Sequence, residues 1–110
     1  MSELSSLPGL EGIRQRFFAR LAEKIVHVEK AWATLELPAD NATVDFLFAA
    51  EAVLHSVAGA AGTLGLKDIG ARARDCEEAI IALTRRGEGS SAELRAELSD
   101  FLELAKNSLR

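Results

Sequence analysis

Apolar residues recur along this chain at spacings of three and four, almost from one end to the other. Ile13, Phe17, Leu21, Ile25, Val28, Trp32 and Leu35 fall on one stripe of a helix that Pro38 brings to a close. A second stripe, Phe46, Ala50, Val53, Val57, Ala61 and Leu64, follows the short polar side chains around Asp40 and Thr43, which can cap a helix, and ends at Gly65. The third holds Ile69, Ala73, Cys76, Ile80 and Leu83, with Arg85 and Arg86 as a basic last turn before the Gly87-Glu88-Gly89 loop. The fourth opens on Ser90 and Glu93 at capping-box spacing and carries Leu94, Leu98, Phe101, Ala105 and Leu109. Strand signals are nearly missing: the chain has no tyrosine and no sustained apolar/polar alternation between tight turns. The pattern predicts helices over 10–36, 41–64, 67–86 and 91–109, after a short N-terminal segment punctuated by Pro8, Gly9 and Gly12. Four amphipathic helices on short loops can bury their stripes only against one another. The expected fold is therefore an all-α, antiparallel up-down four-helix bundle, one domain over residues 1–110.

Composition narrows the function classes. Nearly half of the 110 residues are apolar, enough for a core without staples, and Cys76 is the one cysteine, so no intramolecular disulfide can form. A free thiol fits a reducing compartment, and the cytoplasm is the expected location. No run approaches the roughly 18 uninterrupted apolar residues of a membrane span, and the first residues lack the basic start and apolar stretch of a signal peptide. The expectation is a soluble protein off the membrane. With 17 acidic against 13 basic residues, the latter scattered along the chain, nucleic acid is not an expected partner. Two histidines and one cysteine at these separations make no metal site, and no glycine-rich loop leads into Lys-Ser/Thr to hold a nucleotide. His27, at the flank of its stripe, and Cys76, on an inward face, read as structural.

One segment of the second helix stands apart. At about 100° per residue, His55 points nearly opposite the Val53, Val57, Ala61 and Leu64 stripe and so toward water. Around it lie Ala52 one turn before and Ala58, Gly59 and Gly62 one and two turns after, a floor of minimal side chains under an exposed imidazole. Each interior glycine costs a helix about 1 kcal/mol relative to alanine, a cost that close approach by another molecule would justify. Phe48, two turns before His55 and off the stripe, either packs beneath the first helix or a loop, or touches a partner. The second and third helices form a hairpin that turns near Gly65 and Leu66, which brings His55 level with Cys76 and Glu77.

The run His55-Ser56-Val57-Ala58-Gly59-Ala60-Ala61-Gly62-Thr63-Leu64-Gly65 resembles the signature of histidine-containing phosphotransfer (HPt) domains. Val57, Gly59, Leu64 and Gly65 match, whereas Ala58 stands where that family usually has lysine. The likeness continues through Ile69, Cys76 and the Glu77-Glu78 pair and extends to the outer helices only as pattern. It implies that His55 carries a phosphoryl group as a phosphoramidate, and that Glu77 holds the ring's Nδ1–H so that Nε2 is free to attack. It further implies a monomer that exchanges phosphate with response-regulator receiver domains and a hybrid sensor histidine kinase. Such a module needs no cofactor of its own, the Mg²⁺ sitting in the receiver. Phe48, Ala52, Ala58, Gly59 and Gly62 would form the partner surface. Of the nearby cations, Lys67 lies about three turns away and Arg72 and Arg74 need not face the site, so with Ala58 in place of lysine transfer is expected to be slower, or more dependent on the receiver's own cations, than in lysine-bearing relatives. Two alternatives stay open: a receiver-binding bundle that accepts no phosphate, which Ala58 favours, and an unrelated helical interaction module, which the exposed His55 on its small-residue floor opposes.

Overall fold

The computed structural model describes residues 8–35 and 41–110. They form four α-helices, α1 (Pro8–Thr34), α2 (Asn41–Thr63), α3 (Lys67–Arg86) and α4 (Ser91–Ser108), and no strand. The α1–α2, α2–α3, α3–α4 and α4–α1 neighbours close a ring, the packing of an up-and-down antiparallel bundle. α1 begins at Pro8, so Gly9 and Gly12 belong to the helix and not to a preceding segment. Proline suits a first turn, where its missing N–H would have had no partner. Residues 1–7, Pro38 and Asp40 lie outside the described residues, and with them the expected stop of α1 and part of the expected cap of α2.

The turns follow the residues that punctuate them. Gly65, at φ 74°, ends α2, and the Arg14 guanidinium of α1 donates to the Leu64 carbonyl at 3.1 Å, serving an oxygen the helix end leaves free. Gly87, at φ 64°, ends α3, and the Ser90 Oγ accepts from the Glu93 N–H at 3.1 Å to start α4.

Leu21 and Val28 of α1, Leu54 of α2, Ile80 of α3 and Leu94, Leu98 and Phe101 of α4 form the heart of the core. On α3 and α4 the buried residues are those the periodicity picks out, joined by Gly70 and Leu102, except that Leu83 and Leu109 are only partly buried against the core. On α1, Ile13 is 45% exposed and Ala31 is buried instead. On α2 the buried arc is turned by one ridge: Leu47, Leu54 and Ala58 are buried, while Phe46 and Val53 only pack at its edge. Apolar and small residues run almost all round α2, so its stripe has no charged borders to fix its centre, and packing against α1 and α3 decides it. Cys76 is fully buried, and its Sγ donates to the Glu97 carbonyl at 3.1 Å. Burial, helped by the nearby Glu97 charge, pushes this thiol up to about 12, so it stays protonated and inert.

Thr43–Thr63 is long and apolar enough by composition to cross a bilayer, with a mean hydropathy of 1.4, although it contains no long uninterrupted apolar run. Its alanines raise the hydropathy, and in the bundle Ala50, Ala58 and Ala61 are buried against neighbouring helices.

Candidate functional site

His55 projects from the middle of α2 with its side chain 78% exposed. The antiparallel α2–α3 register sets Glu77 beside it, 2.8 Å from Nδ1 through Oε2, and this carboxylate is itself largely shielded at 18% exposure. A carboxylate can only accept, so Nδ1 donates and carries the proton. In the neutral ring Nε2 is then left with its lone pair, on a side chain that is mostly exposed. The side chain is held at one nitrogen and bare at the other, the state a nucleophilic imidazole requires.

The floor around the ring is as small as the sequence suggests, with one correction. Ala52, Gly59 and Gly62 are exposed, and a Cβ added at either glycine would meet nothing within 4 Å. Neither glycine is there to let the bundle pack. Gly70 of α3 is different, since its Cβ would lie 3.5 Å from the Ala61 methyl and 3.6 Å from the Ala58 carbonyl. Ala58 does not belong to the exposed floor: it is only 5% exposed, on the wide arc that α2 buries. A lysine at this position would have to thread its stem out of the packed surface to reach the ring.

Two recesses flank His55. On the α3 side, Phe48, Glu51, Ala52, Glu77 and Arg85 line an open pocket with the imidazole. Arg85 Nη2 donates to Glu51 Oε2 at 3.1 Å, and its guanidinium carbon stands 6.0 Å from the Phe48 ring centroid. Phe48 is 47% exposed and forms the apolar wall of this pocket beside Arg85. Glu51 Oε1 is buried with no hydrogen-bond partner. Arg85 and Glu51 were not legible as site residues, although one clue was present: Glu51 lies one turn before His55, and Arg85 about two turns after Glu77, on the same faces. Lys67, Arg72 and Arg74 stand away from the imidazole, as their positions in the sequence suggest. Arg72 pairs with Glu97 and Asp100 of α4, and neither Lys67 nor Arg74 lines the pocket.

On the α1 side runs a groove of about 580 Å³. Ile13, Phe17, Leu21, Val53, Val57 and Leu64 give it apolar walls, and Ala52 and Ser56 join it to the His55 ridge. Arg16, Arg20 and Lys24 line it as well, and no acidic residue does. These cations repeat at every fourth residue of α1, a short basic stripe that contradicts the impression of scattered positive charge. Among the described residues no three His, Cys, Asp or Glu side chains converge to hold a metal ion.

Comparison with protein-family models matches residues 12–108 to the family described as Hpt domain. No curated protein and no solved structure shows significant similarity. The match spans all four helices and includes His55, Glu77 and the glycines between them, and it agrees with an all-helical fold that exposes one histidine on its second helix. The chain belongs to the Hpt domain family, whose members serve histidine phosphotransfer in two-component signalling.

Proposed function

We propose that the protein is a phosphorelay intermediate that carries a phosphoryl group on His55 Nε2 and exchanges it with aspartates of response-regulator receiver domains. The observation that carries this reading is the 2.8 Å Nδ1–Glu77 hydrogen bond together with the exposure of the ring, which leaves Nε2 as the reactive nitrogen. In the forward step the Nε2 lone pair attacks the phosphorus of an aspartyl phosphate. The Nε2–P bond forms as the P–O bond to the aspartate breaks, and that electron pair leaves with the carboxylate. The imidazole becomes formally cationic, and Glu77, already on Nδ1–H, stabilises the charge without taking the proton. The Mg²⁺ that this chemistry uses belongs, on our reading, to the receiver's acidic pocket.

Hpt domains in general interact with receivers and kinases. Here the small residues Ala52, Gly59 and Gly62 let a partner backbone come close to the ring, and the groove beside them offers apolar surface with positive charge suited to an acidic partner. A hybrid sensor histidine kinase as donor, a monomeric state and a cytoplasmic location complete the proposal. Incubation with a panel of phosphorylated receivers is the test. Label on the protein that is acid-labile and base-stable is the expected result, and receivers that bind without passing label would favour the non-accepting reading to which Ala58 gave weight.

A further inference from the structure

We infer that Arg85 is the cation that binds the phosphoryl oxygens on His55, held ready for them by Glu51 and the Phe48 ring. The inference rests on the proposal that His55 is the phosphoacceptor. A phosphoryl group at Nε2 adds roughly two negative charges at neutral pH, beside a pocket that already holds the carboxylates of Glu51 and Glu77. Arg85 is the one cation among the residues lining that pocket, and Ala58, buried and neutral, supplies none.

Glu51 is mostly shielded and gives one oxygen to Arg85 at 3.1 Å, fixing a side chain that would otherwise sample many rotamers. The Arg85 guanidinium also stands over the face of Phe48, 6.0 Å from its centroid, which gives this half-exposed ring a cationic neighbour. Arginine has five N–H donors, and the contact with Glu51 uses Nη2 alone, so further donors remain while Arg85 stays anchored. Glu51 and His55 are four residues apart on α2, about 6 Å along the axis, and Arg85 lines the same open pocket as the imidazole, where a phosphoryl group on the ring would extend toward it. Arg85 would then contact the transferring group directly, in the arriving aspartyl phosphate and in the phosphohistidine alike.

The test uses phosphoramidate as a small-molecule donor, so that labelling of His55 does not depend on a receiver. Phosphorus NMR follows the second ionisation of the phosphohistidine in the wild type and in Arg85→Gln. A neighbouring cation favours the dianion, so the midpoint should rise by about 0.5 pH unit when it is lost. Arg85→Lys should restore most of the shift, while Arg86→Gln, on a residue that pairs instead with Glu78 and Glu88, should leave it unchanged. Transfer from a phosphorylated receiver at saturation should slow by about tenfold in Arg85→Gln, with half-saturation little altered. Circular dichroism melting establishes that the variant is folded. An identical midpoint in wild type and Arg85→Gln would overturn the inference while leaving His55 as acceptor; a wild type that takes no phosphoryl group from phosphoramidate would overturn both.

Discussion

α2 and α4 do the same work on the inside of the bundle and opposite work on the outside. Both present a continuous apolar arc to the core, Leu47 to Leu64 on one and Leu94 to Ala105 on the other. The outer face of α4 is what a solvated helix ordinarily shows, with Glu93, Asp100, Glu103 and Lys106 exposed and Lys106 reaching Glu29 of α1 at 3.1 Å. From Ala52 to Gly62 the outer face of α2 has Ala52, His55, Ser56, Gly59, Ala60 and Gly62, one titratable ring among the smallest side chains available. Solubility would favour charge there and helix stability would favour alanine over glycine. Departure from both at one location, with open space above Gly59 and Gly62, separates a surface shaped for a partner from one shaped for water.

The contrast can be broken most severely from inside, where the two helices are alike. Phe101→Ala on α4, at a site with no exposure, should destabilise the bundle by about 3–5 kcal/mol. Chemical denaturation would show the loss, and any phosphotransfer defect should track the fraction unfolded. On the α2–α3 face the effect should be catalytic. Glu77→Ala removes a hydrogen bond to a developing cation, worth about 1.5–3 kcal/mol, and so should slow transfer by roughly ten- to a hundredfold at nearly unchanged stability. A wild-type rate in this variant would reduce Glu77 to a surface charge.

Smaller effects sharpen the difference. Gly59→Ala and Gly62→Ala should each stabilise the free protein by about 1 kcal/mol, since a methyl group meets nothing there. The same substitutions should weaken receiver binding, measured by titration calorimetry, because the methyl stands where the partner must approach. At the low end, Lys106→Ala on α4 breaks an exposed ion pair and should change stability by less than about 1 kcal/mol and transfer not at all.

How far the sequence reveals this arrangement depends on what each feature needs to be seen. The stripes of α3 and α4 are visible because charged residues border them on either side, and Gly65, Gly87 and Ser90 mark ends through their own backbone or side-chain chemistry. The arc of α2 is misplaced by one ridge because apolar and small residues run almost all round that helix and leave its stripe without charged borders, and with it Ala58 is mistaken for surface. The hairpin register suffices to place Glu77 against His55, since both lie about equally far from the turn. The contact of Phe48 and Glu51 with Arg85 is beyond such reasoning. It joins residues 34 and more positions apart through side chains whose reach and direction appear only when the helices are packed.

The central claim is that this one exposed imidazole carries the phosphoryl group. Phosphorylated receiver should be incubated with the wild type, His55→Gln and His27→Gln, and acid-labile, base-stable label on each measured by phosphorus NMR and intact-protein mass. The account predicts full label on the wild type and on His27→Gln, and none on a folded His55→Gln; label that persists in the His55 variant would contradict it.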